Sequence, residues 1–271
     1  MTTWSDSQII DGLEGVWTSI IDATANLDET QWRTPTDCPG WSVADQLVHL
    51  IGIERGLQGH PAPEVDVEET AHLRNPIGEM NERWIVARRG RTGDEVRAEF
   101  AEVTAERIAE LRGLSPEALG TVGWSPIGQV PLRTFMVIRV MDSWIHEQDV
   151  RLALGRPGGR DGFGEEVALT RADAALGVVV GKGAGAPDGA SVAFDVRGPL
   201  GGVRRIAVAD GRASAVDGDD ATATIQLSQE TYVRRFAGRM SFDAALAAPG
   251  TELSGDRSLA EAVLGALAVM I

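Results

Sequence analysis

The chain has 271 residues, 43 % hydrophobic and 24 % charged, which is the balance of an ordinary globular protein and enough for two domains. A formal net charge of −15, from 25 basic and 40 acidic residues, repels phosphate backbones and anionic lipid, so neither nucleic acid nor a membrane is expected as a partner. The single cysteine, Cys38, excludes an internal disulfide. The opening MTTWSDSQ lacks a signal-peptide pattern and the longest apolar run, Ala262–Ile271, is too short for a bilayer, so a cytoplasmic protein is expected.

The first half reads as helices. Ile9, Leu13, Val16, Trp17, Ile20 and Ile21 recur at helical spacing within Ser5–Ala25. After a break at Thr34–Gly40, Ser42 and Asp45 form a capping-box-like pair that starts a second helix running to about Leu57, with Trp41 placed to act as a hydrophobic staple. A polar loop, Gln58–Arg74, carries His60 and His72, both expected to be exposed. Further helices are predicted over about Pro76–Arg89, Asp94–Leu114 and Leu132–Leu154, the last after a Gly/Pro-rich connection, Gly120–Pro131. Several long helices without strand signals between them predict an up-down bundle over residues 1–155.

Gly155–Gly164 reads as a linker. A helix at about Glu165–Val180 follows. Alternating strands come next, at Val192, Phe194 and Val196, then Ile206 and Val208, then Ile225 and Leu227, with Asp210-Gly211 as a hairpin turn. Ser228 caps a helix through Phe236, and a final helix is expected from about Ser258 to Ile271. Residues 164–271 thus read as a small α+β domain behind an all-α one.

The chemistry concentrates on two histidines. Asp142 and His146 are four apart in RVMDSWIHEQDVR, so one helix face can present a carboxylate and an imidazole to one ion. His49 is the candidate of matching type on another helix. Two nitrogens and one oxygen around an open fourth position make a catalytic-type zinc site. The same spacing also suits a plain surface charge pair. His146-Glu147 does not complete HExxH, because position 150 is valine. Cys38, before a helix N-terminus, reads as a structural thiol or, less directly, a nucleophile. Gly181–Gly185 reads as a turn, since it follows a helix and lacks the spacing of a phosphate loop.

CPGWSVADQLVHL (Cys38–Leu50) and RVMDSWIHEQDVR (Arg139–Arg151) together closely resemble the DinB-like, mycothiol-dependent maleylpyruvate isomerase family. YVRRFAGR and ELSGDRSLAEAVL look like that family's sterol-carrier-like C-terminal domain. The resemblance implies a DinB-like four-helix bundle over 1–155 and a sterol-carrier-like α+β domain over 164–271. It implies a divalent metal, expected to be zinc, on His49, Asp142 and His146, with Asp142 where the family usually has Glu. It also implies mycothiol as thiol cofactor, a small-molecule electrophile as substrate, and arginines near the pocket, matched here by Arg235 and Arg239. Asp149 is placed to orient His146. The activity implied is cis–trans isomerisation or S-transfer. A metal-dependent hydrolase using bound water and a non-enzymatic ligand-binding protein are the alternatives.

Overall fold

The computed structural model describes residues 4–68, 73, 75–160 and 162–270, and His72 lies outside them. The chain divides into two compact units, Met1–Val167 and Ala168–Ile271.

The first unit is helical. Its elements are α1 (Asp6–Ala23), α2 (Glu29–Trp32), α3 (Val43–Leu57), α4 (Pro76–Val86), α5 (Gly93–Gly113) and α6 (Pro116–Leu119). A short hairpin of β1 (Val122–Ser125) and β2 (Gly128–Pro131) leads into α7 (Leu132–Ala153), and α8 (Phe163–Val178) crosses the unit boundary. Helix starts follow side-chain chemistry. Ser5, Asp28, Ser42 and Thr92 each close a capping box with the residue three positions on.

Helix α1 packs on α5 and α7, and α3 packs on α4, α5 and α7. The apolar stripe of α1 is buried as expected: Ile9, Leu13, Val16, Trp17 and Ile20. Gly52 admits α4, because a Cβ there would stand 2.5 Å from Trp84 Cγ. Among the described residues, no helix is long and apolar enough to cross a membrane.

One expectation for this unit needs correction. The segment Gly120–Pro131 is largely the β1–β2 hairpin rather than an irregular connection, and its pairing runs from Val122↔Pro131 to Ser125↔Gly128. The short helix Glu29–Trp32 (α2), which the sequence reading does not name, precedes the break at Thr34–Gly40. The Gly/Pro-rich stretch after α7 is held against α7: Trp144 Nε1 donates to Gly159 O at 2.6 Å, and Gln148 Nε2 donates to Gly158 O.

The second unit contains a five-stranded sheet. Helix α8 continues into one π-type turn, Val179–Gly183. It is followed by β3 (Ser191–Arg197), β4 (Gly202–Ala209), β5 (Arg212–Ala215), β6 (Ala223–Ser228), α9 (Gln229–Phe236), α10 (Phe242–Leu246), β7 (Glu252–Gly255) and α11 (Arg257–Ala266). Strand order is β5-β4-β3-β6-β7, with β3 and β6 parallel and the other pairs antiparallel. Asp210 and Gly211, at φ 52 and 72, form the expected hairpin turn between β4 and β5. Buried Val192, Phe194, Val196, Ile206, Val208, Ile225 and Leu227 make the sheet's share of the core, against which α9 and α11 pack.

The last helix is shorter than predicted. Capped by Asp256, α11 starts near the expected place but ends at Ala266, and beyond it the backbone N–H groups of Val269 and Met270 donate to Phe236 O. That bond to α9 takes the chain out of helical geometry before Ile271.

Candidate metal centre

Helices α3 and α7 pack together and bring His49 to face Asp142 and His146. One ligand atom from each of the three residues lies within 4.8 Å of the others. His49 Nε2 is 3.4 Å from Asp142 Oδ2, and His146 Nε2 is 3.7 Å from Asp142 Oδ1. Donors around a tetrahedral ion with bonds of about 2.0–2.1 Å stand roughly 3.4 Å apart, so the spacing suits one. The imidazole centroids are 4.4 Å apart.

Both histidines are 5 % exposed. Neither ring nitrogen of His49 has a hydrogen-bond partner, since Asp142 is near Nε2 but out of alignment with it. A buried, unsatisfied imidazole is costly, by roughly 1–3 kcal/mol. A cation bound to its lone pair would remove part of that cost, and the nitrogen–nitrogen–carboxylate donor set is of the type that holds zinc.

Electrostatics agree. Burial, reinforced by His146 and opposed by Asp142, lowers the His49 pKa to about 4, so the ring is neutral and available as a ligand at neutral pH. Burial alone would raise the Asp142 pKa, but the Arg139 guanidinium and the two neighbouring imidazoles hold it well below the ordinary carboxylate value.

A buried ionic chain supports Asp142. Arg139 Nη1 donates to Asp142 Oδ2 at 2.5 Å and its Nε donates to Glu54 Oε1 at 2.8 Å. Glu54 Oε2 accepts from Arg107 Nε at 3.2 Å, and Arg107 also pairs with Glu110. The chain therefore ties α3, α5 and α7 together beneath the site.

Trp41 lies beside both imidazoles. Its ring lies 5.1 Å from that of His49 and 6.1 Å from that of His146, while its Nε1 donates to Glu82 Oε2 on α4 at 3.0 Å. On the other side of His146, Nδ1 is 2.5 Å from Gln46 Oε1 and 3.6 Å from Asp149 Oδ2. Gln46, rather than Asp149, is thus at hydrogen-bonding distance from the ring. The Cys38 thiol is buried and donates to Asp149 Oδ2 at 3.4 Å.

Sequence reasoning missed Trp41, Gln46, Glu54 and Arg107 at the site. The expected exposure of His60 is observed. Arg235 and Arg239 belong to the second unit. Arg235 is buried and donates to Leu264 O and Gly265 O, carbonyls in the last turn of α11, and to Met240 O between α9 and α10. Arg239 is half-buried and donates to Ala237 O.

Comparison with known proteins places the chain. It is 30 % identical over 145 residues to uncharacterized proteins from two strains of Mycobacterium tuberculosis, an overlap covering 48 % of this chain and 50 % of each relative. The chain thus spans about half the length of the curated relatives it matches. Two crystal structures of the mycothiol-dependent maleylpyruvate isomerase, one of them of a histidine-to-alanine mutant, superpose with a TM-score of 0.60 at 19 % identity, covering 94 % of this chain and 96 % of theirs. At that identity the likeness establishes the fold. The model of the family described as Mycothiol maleylpyruvate isomerase N-terminal domain matches residues 13–151, about half of the chain, spanning all three candidate ligands, and the chain belongs to that family.

Proposed function

We propose that this protein is a metal- and thiol-dependent isomerase: a divalent ion, zinc, held by His49, Asp142 and His146, works with mycothiol on a small electrophile of the maleylpyruvate kind. The observation that carries this reading is the convergence of two buried imidazoles and a half-buried carboxylate, one of the imidazoles without a hydrogen-bond partner, in a chain of the mycothiol maleylpyruvate isomerase family. In this reading the first unit is a DinB-like four-helix bundle of α1, α3, α5 and α7, and the second is a sterol-carrier-like domain. Residues 1–155 and 164–271 are the functional divisions.

When bound, the ion supplies the charge that keeps a thiol ionised near neutral pH, and the thiol supplies a nucleophile able to add to and leave an activated double bond. The chain's own residues do the rest. Asp142 brings negative charge, kept ionised by Arg139. Trp41 covers the imidazoles and limits access of water on its side. Arg235 and Arg239 are the proposed cations for an anionic substrate. S-transfer to the same class of electrophile is a further activity this chemistry permits.

The test combines elemental analysis of purified protein with turnover assays in the presence and absence of mycothiol. About one equivalent of zinc and thiol-dependent isomerisation are expected. Turnover by zinc-loaded protein without thiol would move the reading to a hydrolase that activates water.

A further inference from the structure

We infer that Gln46 is a positioning residue that fixes the tautomer of His146, so that Nε2 presents its lone pair toward Asp142 and His49. The inference deepens the metal-site reading and rests on it for its purpose, but the geometry stands on hydrogen-bond direction alone.

The direction can be followed from one end. Thr36 Oγ1 is 2.9 Å from Trp41 O, and a carbonyl oxygen only accepts, so the hydroxyl proton is committed there. Thr36 Oγ1 is therefore an acceptor toward everything else. Gln46 Nε2 donates to it at 2.7 Å, and Cys38 N does so at 3.3 Å. With the amide nitrogen turned to Thr36, the amide oxygen faces His146 Nδ1 at 2.5 Å. An oxygen with no proton at this distance requires the proton on Nδ1. The neutral ring then has Nε2 bare, 3.7 Å from Asp142 Oδ1. Asp149 Oδ2, the other group facing Nδ1, is also an oxygen, and the Cys38 thiol donates to it.

The opposite amide orientation is disfavoured. It would set Oε1 against a hydroxyl whose proton is spent and an amide N–H against Nδ1, which would drive the imidazole proton to Nε2 and block the ligand position. Gln46 is fully buried, so water does not offer a substitute partner. It lies three residues before His49 on α3, so one helix supplies both a ligand and the group that sets the second ligand's proton.

The experiment uses metal-free full-length protein labelled with 15N. Long-range 15N–1H correlation at a pH of about 8, above the ordinary histidine pKa, reads which His146 nitrogen carries the proton, with His146→Ala supplying the assignment. The wild-type ring is expected to be protonated on Nδ1. Gln46→Met, similar in length without an amide, should move the proton wholly or partly to Nε2 and weaken zinc binding about 10–100-fold in a chelator competition. Gln46→Glu, which keeps an acceptor oxygen toward Nδ1 but loses the donor to Thr36 Oγ1, should restore the Nδ1–H tautomer. A wild-type proton on Nε2, or a Gln46→Met protein with unchanged tautomer and zinc affinity, would overturn the inference. A wild-type protein that shows the Nδ1–H tautomer and takes up no zinc would instead sink the metal reading and leave the tautomer assignment standing.

Discussion

Arg139 and Asp142 sit one turn apart on α7, and the 2.5 Å bond from Nη1 to Oδ2 makes the carboxylate of the site part of a buried charge chain rather than an isolated group. Asp142 is pulled toward Arg139 on one side and toward two imidazoles on the other. The Asp142→Ala protein should lose most zinc binding, measured by equilibrium dialysis, and should leave Arg139 paired with Glu54 alone. Asp142→Glu should retain zinc, since Glu is the acid the family resemblance implies at this position. Full zinc binding by Asp142→Ala would remove the carboxylate from the ligand set.

The same chain makes Glu54 a stability residue. It is fully buried and accepts from both Arg139 and Arg107, which are themselves 2 % and 3 % exposed. Glu54→Gln removes the negative charge that compensates two buried guanidinium groups, and breaking such a network costs about 3–5 kcal/mol. The urea midpoint should fall accordingly. A midpoint within error of wild type would show that the two arginines find other compensation.

Part of this site is legible in the sequence, and the reason is local periodicity. Asp142 and His146 share a helix face because they are four apart, a relation that holds before any packing is known. His49 follows by residue type. The groups that serve the ligands are different: Gln46, Glu54 and Arg107 meet α7 only through the way α3, α5 and α7 cross, and no spacing in one helix encodes that crossing. The approach of Trp41 to both imidazoles is hidden for the same reason, since one of them lies on a different helix. The β1–β2 hairpin is obscured because Val122, Trp124 and Ile127 are exposed, so its apolar residues do not alternate with a buried face. In the second unit, β3, β4 and β6 show their buried residues plainly. The four-residue strands β5 and β7 do not: they are edge strands with little buried surface.

Metal-free protein should lose stability between pH 6.5 and about 4 because of His49. Its folded pKa of about 4 lies below the ordinary 6.5, so the unfolded chain binds the extra proton in this window. Stability therefore rises with pH across the window and falls as pH drops through it, by about 3 kcal/mol in total. Asp142, held well below its ordinary value, stays ionised in the folded state here and adds its own loss only at lower pH. Denaturation midpoints of wild type and His49→Gln, taken across this range, isolate the effect. Identical pH slopes in the two proteins would remove His49 as the cause.

His146→Ala should abolish zinc content while leaving helical circular dichroism nearly unchanged. The helices of the first unit bury their own apolar stripes, and only α3 and α7 supply ligands. The substitution leaves Gln46 Oε1 without its ring partner, which costs about 1–3 kcal/mol, too little to unfold a well-packed domain. Loss of the helical signal on chelation of wild-type protein would show instead that the ion is structural.

The working nucleophile should come from an added thiol and not from the chain. Cys38 is the sole cysteine; it is buried, and its thiol is within donating distance of Asp149 Oδ2 at 3.4 Å and Gln46 Oε1 at 3.8 Å. An acidic neighbour opposes ionisation of a thiol, whereas a free thiol with a pKa of about 8.5 needs a nearby positive charge to be largely ionised at neutral pH. The candidate metal centre can supply that charge, because zinc is borderline-soft and binds sulfur well. Zinc-loaded protein given maleylpyruvate should therefore isomerise it only when mycothiol, or a cysteinyl-sugar mimic, is present. The Cys38→Ala protein should keep most of that turnover, and His146→Ala should have none. The thiol should not be consumed, since addition to the double bond followed by elimination returns it, and a thiol-counting assay before and after reaction reads this directly. Stoichiometric loss of thiol with a stable adduct would mark S-transfer. Turnover without any thiol would discard the thiol mechanism, and turnover that disappears with Cys38→Ala would return the nucleophile to the chain itself.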